Sequence, residues 1–179
     1  MRFVESVLSG VWLIELDLIG DERGWFARTF DVSEFRAHGL DPAVAQCNAS
    51  FNARRDTIRG MHYQTEPHAE PKLVRCVRGA VFDVAVDLRP DSPTYCRWYG
   101  VELSVDNHRL VYLPRGIAHG FQTLTHDSEV IYQMGHEHVP EAARGVRWDD
   151  PVFAIEWQPS SSSGPIISAR DRAYSDFVP

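Results

Sequence analysis

The amino-acid sequence predicts an all-β protein of the sandwich or barrel type, and two patterns support this prediction. Apolar and polar residues alternate with period two over residues 12–18 and 81–88, which places successive side chains on opposite faces of a strand. Further β-rich runs are bounded by turn residues, and these runs are 73–77, 98–105, 109–113 and 129–134. Many short strands separated by turns are typical of antiparallel sandwiches and barrels.

Helix is predicted at only two places, and both are short. Residues 31–38 begin with the capping box formed by Asp31 and Glu34 and end before Gly39, a residue type that favours the left-handed conformation after a helix. Residues 140–144 start with a proline and are closed by a glycine. This second pattern predicts a single helical turn.

The C-terminal segment follows the one stretch of low complexity. Four serines precede Gly164 and Pro165, a composition typical of flexible connections. Residues 166–172 are apolar and then charged, so we expect them to pack back against the rest of the chain. The sequence therefore predicts one domain over residues 1–179, with 160–165 as a flexible hinge.

The composition excludes several classes of protein. With 179 residues, 44% of them hydrophobic and 24% charged, the chain is suited to one globular core rather than to disorder. A formal net charge of −7 argues against nucleic acid or an anionic membrane as the main partner. No apolar segment is long enough to span a bilayer, and no leader pattern is visible.

The three cysteines, Cys47, Cys76 and Cys96, form no C-x-x-C pair. This spacing argues against a disulfide framework and against a cysteine-based zinc site. It favours a reduced, cytoplasmic setting.

One basic residue type is almost absent from the chain. Of the 18 basic residues, 17 are arginine and only Lys72 is lysine. An ammonium is compact and able to titrate, whereas a guanidinium is planar and always charged. Lys72 is therefore either a site residue that uses this chemistry or a stray lysine in an arginine-biased chain.

The densest cluster of polar residues lies between positions 46 and 72. Strand alternation places His62 and Gln64 on one face and Arg59 on the other, unless Gly60 marks a bulge that turns Arg59 towards His62. Nearby positive charge disfavours protonation of an imidazole, which suits a general base. His62 is therefore a candidate base, and the alternative is a surface histidine in a basic loop.

Further histidines suggest a second kind of site. His119 is flanked by small residues that leave space for a ligand, and His136 and His138 are two residues apart. Two histidines on one strand face can bind a metal, and together with His62 and His119 they would suit a metal-dependent β-barrel enzyme. The segment around His119 has no carboxylate at a matching spacing, which weighs against this alternative.

Aromatic residues offer another candidate. Tyr132 shares a strand face with Val130 and Met134. A tyrosine in an apolar strand is usually part of the core, although its hydroxyl can also serve as an acid or base of high pKa. Trp25 and Phe26 are more simply explained as core or interface aromatics.

Taken together, ordered motifs along nearly the whole chain resemble the dTDP-4-dehydrorhamnose 3,5-epimerase family. The motifs are GWF at 24–26, QCN at 46–48, IRGMHYQ at 58–64, KLV at 72–74, GAVFDVAVDLR at 79–89, DSPT at 91–94, PRGIAHGF at 114–121, Tyr132, RWDDP at 147–151 and SARD at 168–171. The resemblance implies a cupin-type jelly-roll barrel with a few short helices. It also implies catalysis without a metal or any other cofactor.

The resemblance implies an activity and four catalytic residues. The substrate would be a nucleoside diphosphate 4-keto-6-deoxyhexose, whose C3 and C5 hydrogens are acidified by the C4 carbonyl between them. Removing either hydrogen gives an enolate, and a proton returned from the opposite face inverts that carbon. By position, His62 is implied as the base and Asp171 as the carboxylate that orients it. Tyr132 is implied as the acid on the other face, and Lys72 as the cation near the C4 oxygen.

Other residues are implied in binding the nucleotide half of the substrate. Arg59 and His119 are expected around the pyrophosphate, whereas Gln46, Asn48 and Arg23 are expected towards the nucleotide.

Two positions depart from the family pattern. The chain has Arg28 where the family usually has a glutamate, and His138 where an aromatic residue commonly stacks on the thymine. A dTDP sugar is the leading substrate, and a CDP or GDP sugar is the alternative. Inversion of C3 alone or C5 alone also stays open.

The resemblance further implies a homodimer with exchanged N-terminal strands, so that Arg23 and Arg28 serve the partner's site. The product would enter a surface polysaccharide or a glycosylated natural product. Two hypotheses of other kinds stay open at this point: a metal-dependent cupin enzyme, and a non-catalytic sugar-nucleotide binder with the same fold.

Overall fold

The computed structural model describes residues 1–179 as short strands and two short helices. The strands are β1 (Arg2–Glu5), β2 (Trp12–Glu15), β3 (Ile19–Asp21), β4 (Gly24–Phe26), β5 (Gln46–Asn52), β6 (Thr57–Gln64), β7 (Lys72–Arg78), β8 (Ala80–Asp87), β9 (Trp98–Ser104), β10 (Leu110–Leu113), β11 (Ile117–Thr123), β12 (Ser128–Met134), β13 (Ala143–Gly145) and β14 (Ile166–Ile167). The helices are α1 (Val32–Ala37) and α2 (Ala169–Arg172). The predicted all-β class is confirmed. Neither helix has the length and apolar character needed to cross a membrane.

Two antiparallel sheets face each other and form a jelly-roll barrel. The first sheet has the strand order β1-β2-β10-β7-β12-β5, and the second has the order β13-β6-β11-β8-β9. Strand β14 pairs in parallel with β6, and β3 and β4 form a separate hairpin. Most neighbouring strands are distant in sequence, so the sheets bring remote segments of the chain together.

The inward faces of the strands are apolar at one end of the barrel and polar at the other. On β7, Val74 and Cys76 are buried in the main core, whereas Lys72 on the same face lines a cavity. On β12, Val130 lies in the core and Tyr132 lines the cavity. Because residues two apart share a strand face, one strand contributes to both the core and the cavity.

Strand β8 is buried on both faces. Val81 and Ala85 point between the sheets into the main core, whereas Phe82 and Val84 point outwards and pack with Phe153. The period-two pattern predicted for residues 81–88 is therefore correct. Its more apolar face is covered by the chain that follows β13 and does not line the barrel interior.

Of the two predicted helices, one is confirmed and one is wrong. Helix α1 begins after Asp31, whose side chain accepts hydrogen bonds from the backbone N–H groups of Ser33 and Glu34. Residues 140–144 instead form a turn that leads into β13, because their backbone pairs with the edge of β6. Pairing with a sheet edge satisfies backbone groups that an isolated helical turn leaves unpaired.

A bulge in β6 turns Arg59 towards the barrel interior. His119 pairs with His62, and Phe121 pairs with Arg59. The two paired residues are three positions apart on β6 but only two apart on β11, so β6 contains one extra residue. Gly60 lies in the bulge with a φ of 129°, a conformation that residues with a side chain rarely adopt. Of the two arrangements left open by the sequence, the structure has the one with the bulge, which places Arg59 and His62 on the same cavity wall.

We expect Gly60→Ala to destabilise the fold by about 1–3 kcal/mol. A Cβ at this position would lie 2.5 Å from the Gly120 Cα and 2.9 Å from the His119 carbonyl oxygen. Urea denaturation measures the loss. Gly39→Ala is the matched control, because Gly39 also has a positive φ but a Cβ there meets no atom within 4 Å. Equal losses in the two variants would show that the contact with β11 is unimportant.

The C-terminal tail lies against the barrel on both sides of Asp171. Before α2, the Ser161 N–H donates to Asp56 Oδ2 at 3.0 Å, and β14 pairs with β6. After α2, the Phe177 N–H donates to Asp150 Oδ2 at 2.7 Å. These contacts fix where α2 meets the barrel.

Candidate active site

The polar end of the barrel encloses a cavity of about 320 Å³ between the two sheets. This volume is within the range of small-molecule sites. Most of the site residues predicted from the sequence line it: Asn48, Arg59, His62, Lys72, His119, Tyr132 and His138. The jelly-roll topology therefore assembles these residues from five strands and the segment after β12.

His62 lines the cavity and is paired with Asp171, a carboxylate that does not itself line it. His62 Nε2 lies 2.8 Å from Asp171 Oδ1, and Asp171 Oδ2 accepts a hydrogen bond from the Gly60 N–H at 3.3 Å. Ser168 caps α2 by accepting from the Asp171 N–H at 3.0 Å. Burial raises the pKa of Asp171, but the bonds from His62 and Gly60 outweigh it and hold this pKa below its usual value. A carboxylate at Nε2 fixes the neutral tautomer and leaves Nδ1 as the basic nitrogen.

Lys72 begins β7 and places its ammonium inside the barrel. Its Nζ donates to the His62 carbonyl oxygen at 3.1 Å and lies 3.2 Å from Glu70 Oε1. Burial lowers the pKa of Lys72, and the carboxylates of Glu70 and Asp83 oppose this effect. An ammonium shielded from bulk water attracts an oxyanion more strongly than one exposed to it.

Tyr132 lies on the wall opposite His62, because β12 belongs to the first sheet and β6 to the second. Its ring packs edge-on against His119, with the ring centroids 6.0 Å apart. Burial, aided by the Asp83 carboxylate, raises the pKa of Tyr132 well above its usual value. The phenol therefore stays protonated at neutral pH and can donate a proton across the cavity from His62.

A second histidine–carboxylate pair is fully inside the barrel. His119 Nε2 lies 2.8 Å from Asp83 Oδ2, and their side chains are 5% and 1% exposed. Asp83 was not predicted as a site residue, although it interrupts the apolar strand β8. A buried carboxylate requires a partner, so this interruption was the sequence signal. Asp83 holds the imidazole of His119 against the cavity.

Three arginines give the cavity a cationic side. Arg59 donates from Nε to Asn52 Oδ1 at 2.6 Å, and Arg144 and Arg170 also line the cavity. Sequence reasoning missed Arg144 and Arg170, although Arg170 belongs to the SARD motif next to Asp171. Guanidinium groups bind phosphate oxygens through paired hydrogen bonds, so this side suits a diphosphate.

Three predicted nucleotide-binding residues do not line this cavity. Gln46 lies beside it, where its side-chain oxygen accepts from the His138 N–H at 3.0 Å. Arg23 lies on the exposed β3–β4 hairpin and pairs with Asp21. Arg28 is exposed just before α1. A single chain therefore does not bring Arg23 and Arg28 to the cavity that it encloses.

The histidines of the alternative metal site are not arranged for coordination. His136 and His138 were predicted to share a strand face. This prediction is wrong, because β12 ends at Met134, before either histidine. His136 packs against His68 with the ring centroids 5.1 Å apart, whereas His138 lines the cavity. No three histidine, cysteine, aspartate or glutamate side chains of the chain form a group that could hold a metal ion.

The sequence is similar to one family over almost its full length. The family described as dTDP-4-dehydrorhamnose 3,5-epimerase matches residues 5–178. A relative of that name from Sinorhizobium fredii is 44% identical over 157 residues, which cover 88% of this chain and 80% of the relative. Another, from Methanothermobacter thermautotrophicus, is 42% identical over 171 residues, which cover 96% of this chain and 91% of the relative.

Solved structures share the whole fold. The dTDP-4-dehydrorhamnose 3,5-epimerase of Elizabethkingia anophelis is 35% identical with a TM-score of 0.95, covering 99% of this chain and 96% of that one. The Bacillus anthracis enzyme, with TDP and PPi bound, is 38% identical with a TM-score of 0.93, covering 98% and 99%. A 3′-monoepimerase from Streptomyces bikiniensis, in complex with dTDP-quinovose, is 34% identical with a TM-score of 0.87, covering 96% and 85%. The predicted cupin-type jelly-roll is confirmed.

Proposed function

This chain belongs to the dTDP-4-dehydrorhamnose 3,5-epimerase family, a family of isomerases, and from this membership we propose its reaction. The substrate is dTDP-4-dehydro-6-deoxy-D-glucose, and inversion of C3 and C5 gives dTDP-4-dehydro-L-rhamnose. One observation carries the proposal: His62 and Tyr132 face one cavity from opposite sheets, and Lys72 lines the same cavity.

The first step breaks a carbon–hydrogen bond next to the C4 carbonyl. Nδ1 of neutral His62 takes the proton from C3 or C5, and the electron pair of the broken bond moves towards the C4 oxygen to give an enolate. Asp171 stabilises the imidazolium that forms, because it accepts a hydrogen bond at Nε2. The Lys72 ammonium stabilises the negative charge on the enolate oxygen.

The second step returns a proton from the other face of the sugar. The Tyr132 hydroxyl donates its proton to the same carbon, the carbonyl forms again, and the carbon is inverted. The tyrosinate then takes a proton from solvent, while His62 releases the proton that it removed. The raised pKa of Tyr132 favours rapid reprotonation of this phenolate, which prepares the site for the second carbon.

The arginine side of the cavity binds the diphosphate. Arg59, Arg144 and Arg170 line the cavity, and so does His119. The Bacillus anthracis relative with TDP and PPi bound supports a phosphate site in this fold. Charge pairing here holds the sugar ring with its C4 carbonyl towards the catalytic residues.

The nucleotide lies towards the mouth of the cavity in this proposal. Asn48 lines the cavity and Gln46 adjoins it. The imidazole ring of His138 offers a flat surface on which the nucleobase can stack. The TDP-bound and dTDP-quinovose-bound relatives support thymidine over cytidine or guanosine. Inversion of C3 alone is the second candidate function, because the Streptomyces bikiniensis 3′-monoepimerase shares the fold and 34% of the aligned sequence.

Solvent exchange tests the reaction directly. In D₂O, incubation with dTDP-4-dehydro-6-deoxy-D-glucose is expected to place deuterium at both C3 and C5, as measured by NMR. Deuterium at C3 alone supports the second candidate. The same experiment with CDP-linked and GDP-linked sugars tests which nucleobase the cavity accepts. Binding of all three without deuterium at either carbon would show a non-catalytic sugar-nucleotide binder instead.

We also infer a homodimer in which N-terminal strands are exchanged. The β3–β4 hairpin belongs to neither main sheet, and it exposes Ile19, Trp25 and Phe26 by 68%, 48% and 67%. Soluble monomers rarely expose such an apolar cluster. Packing the hairpin on a second copy covers these side chains and carries Arg23 and Arg28 towards the partner's cavity.

Mixed dimers test which cavity Arg23 serves. The Arg23→Ala and His62→Asn variants are each expected to be inactive or weakly active alone. After mixing and subunit exchange, we expect activity to return, because Arg23 of one chain completes the cavity that contains His62 of the other. If Arg23 serves its own chain, no mixed dimer has a complete cavity and activity does not return. Light scattering checks that both variants are dimeric.

The remaining inferences concern domain organisation and setting. We infer that residues 1–179 form one domain, in which residues 160–165 act as the hinge that lets α2 deliver Asp171. A cytoplasmic location is supported by three unpaired cysteines, Cys47, Cys76 and Cys96. We infer that the product serves a surface polysaccharide or a glycosylated natural product.

A further inference from the structure

A buried carboxylate next to Lys72 has no part in the proton transfers described above. Glu70 lies in the loop between β6 and β7, and its side chain is only 3% exposed. Its Oε1 lies 3.2 Å from Lys72 Nζ, and the Lys72 side chain is itself only 7% exposed. A charged pair this deeply buried is costly unless its other hydrogen bonds are satisfied.

The other oxygen of Glu70 is fixed by Gln64. The Gln64 side-chain amide donates to Glu70 Oε2 at 2.9 Å and to the His68 carbonyl oxygen at 2.9 Å. The same nitrogen lies 3.1 Å from the Glu137 carbonyl oxygen, and the side-chain oxygen accepts from the Val139 N–H at 2.6 Å. Both carboxylate oxygens of Glu70 are therefore engaged. The carboxylate cannot turn away from Lys72 without breaking this network.

The pair sets two properties of the Lys72 ammonium. Its direction is set by two acceptors, Glu70 Oε1 and the His62 carbonyl oxygen. Its charge depends on the balance between burial, which lowers the pKa of Lys72, and the carboxylates of Glu70 and Asp83, which raise it. Glu70 is the nearer of the two, since it forms an ion pair with Lys72, whereas the ion pair of Asp83 is with His119. A neutral amine would not stabilise an enolate as a cation does.

We propose that Glu70 is a positioning residue that keeps the Lys72 side chain charged and aimed into the cavity. The inference rests on the proposed function, in which that charge faces the enolate oxygen. The titratable and charged groups that line the cavity with Lys72 are Arg59, His62, Tyr63, Glu70, His119, Tyr132, His138, Arg144 and Arg170, and the Asp83 carboxylate also acts on Lys72 from outside the cavity lining. Among them, Glu70 is the one that forms an ion pair with Lys72.

The single lysine of the chain makes a direct test available. Protein labelled with ¹³C-lysine gives one lysine spin system, so the Cε shift of Lys72 can be followed against pH by NMR. In Glu70→Gln we expect the Lys72 titration to move to lower pH by about 1–3 units, because an opposite charge has been removed. The alkaline limb of kcat should move in the same direction, since activity is lost as the ammonium loses its proton.

Glu66→Gln is the matched control, because Glu66 is an exposed glutamate in the same loop. It should leave both the titration and the alkaline limb unchanged. A merely structural role for Glu70 predicts a different result: a lower melting temperature, with activity reduced equally at every pH. An unmoved Lys72 titration in folded Glu70→Gln overturns the inference.

Two safeguards keep the test decisive. If Glu70→Gln fails to fold, Glu70→Asp retains the charge but withdraws it by one methylene, and a smaller shift in the same direction is expected. An unmoved Lys72 titration in Glu70→Asp then overturns the inference. The NMR titration does not depend on turnover, so an inactive wild type would refute the proposed reaction while the titration still decides whether Glu70 controls the Lys72 charge.

Discussion

The His62→Asn variant is expected to fold like the wild type and to lose both inversion and deuterium incorporation by about 10²–10⁴-fold. Asparagine can still pair with Asp171, but it has no basic nitrogen to take the proton from C3 or C5. Because proton removal precedes every later step, neither carbon should exchange with solvent. NMR of the substrate in D₂O measures the exchange, and circular dichroism checks the fold.

His126→Asn is the matched control for this variant. His126 is exposed and lies outside the cavity, so the substitution should leave exchange at the wild-type rate. If His62→Asn kept more than a tenth of the wild-type exchange rate, another group would have to be the base.

The Tyr132→Phe variant is expected to separate exchange from inversion. The phenyl ring keeps the packing against His119, but the proton donor on the opposite wall is lost. The enolate then regains a proton from His62 on the face it left, and this proton can come from D₂O. We expect inversion to fall by about 10²–10⁴-fold, while deuterium still enters the substrate with its configuration retained. NMR of substrate and product resolves the two outcomes.

Tyr95→Phe is the comparison, because Tyr95 lies outside the cavity and packs against Phe177. It should alter neither exchange nor inversion. Wild-type inversion by Tyr132→Phe would assign the acid to another group. Loss of exchange together with inversion would place Tyr132 on the proton-removal step instead.

Local features of the fold could be predicted from the sequence where their causes are local. The Asp31 cap of α1 depends on backbone N–H groups two and three residues away. The bulge at Gly60 depends on a conformation that glycine adopts readily. In contrast, residues 140–144 became a turn and a strand because the edge of β6 was available to them. Nothing within those five residues indicates that edge.

The residues of the candidate site also fall into two groups, those that the sequence indicates and those that only the structure reveals. Residues in dense motifs, such as His62 and Lys72, can be identified from the sequence alone. Asp83 and Glu70 were missed, since a single carboxylate in a strand or loop is common and its importance depends on a buried partner. For Asp83 that partner is His119, whose strand β11 lies beside β8 in the second sheet.

The sequence by itself determined the all-β class, the family resemblance and the types of group needed for proton transfer. The reason is that the alternation of apolar and polar residues, the turn residues and the motifs each depend only on residues close together in the chain. Only the tertiary structure decided which groups meet. Asp171 reaches His62 from 109 positions away at 2.8 Å, and Lys72 receives a buried carboxylate as its partner. Charge, burial and direction depend on contacts between distant strands, and the jelly-roll topology creates those contacts.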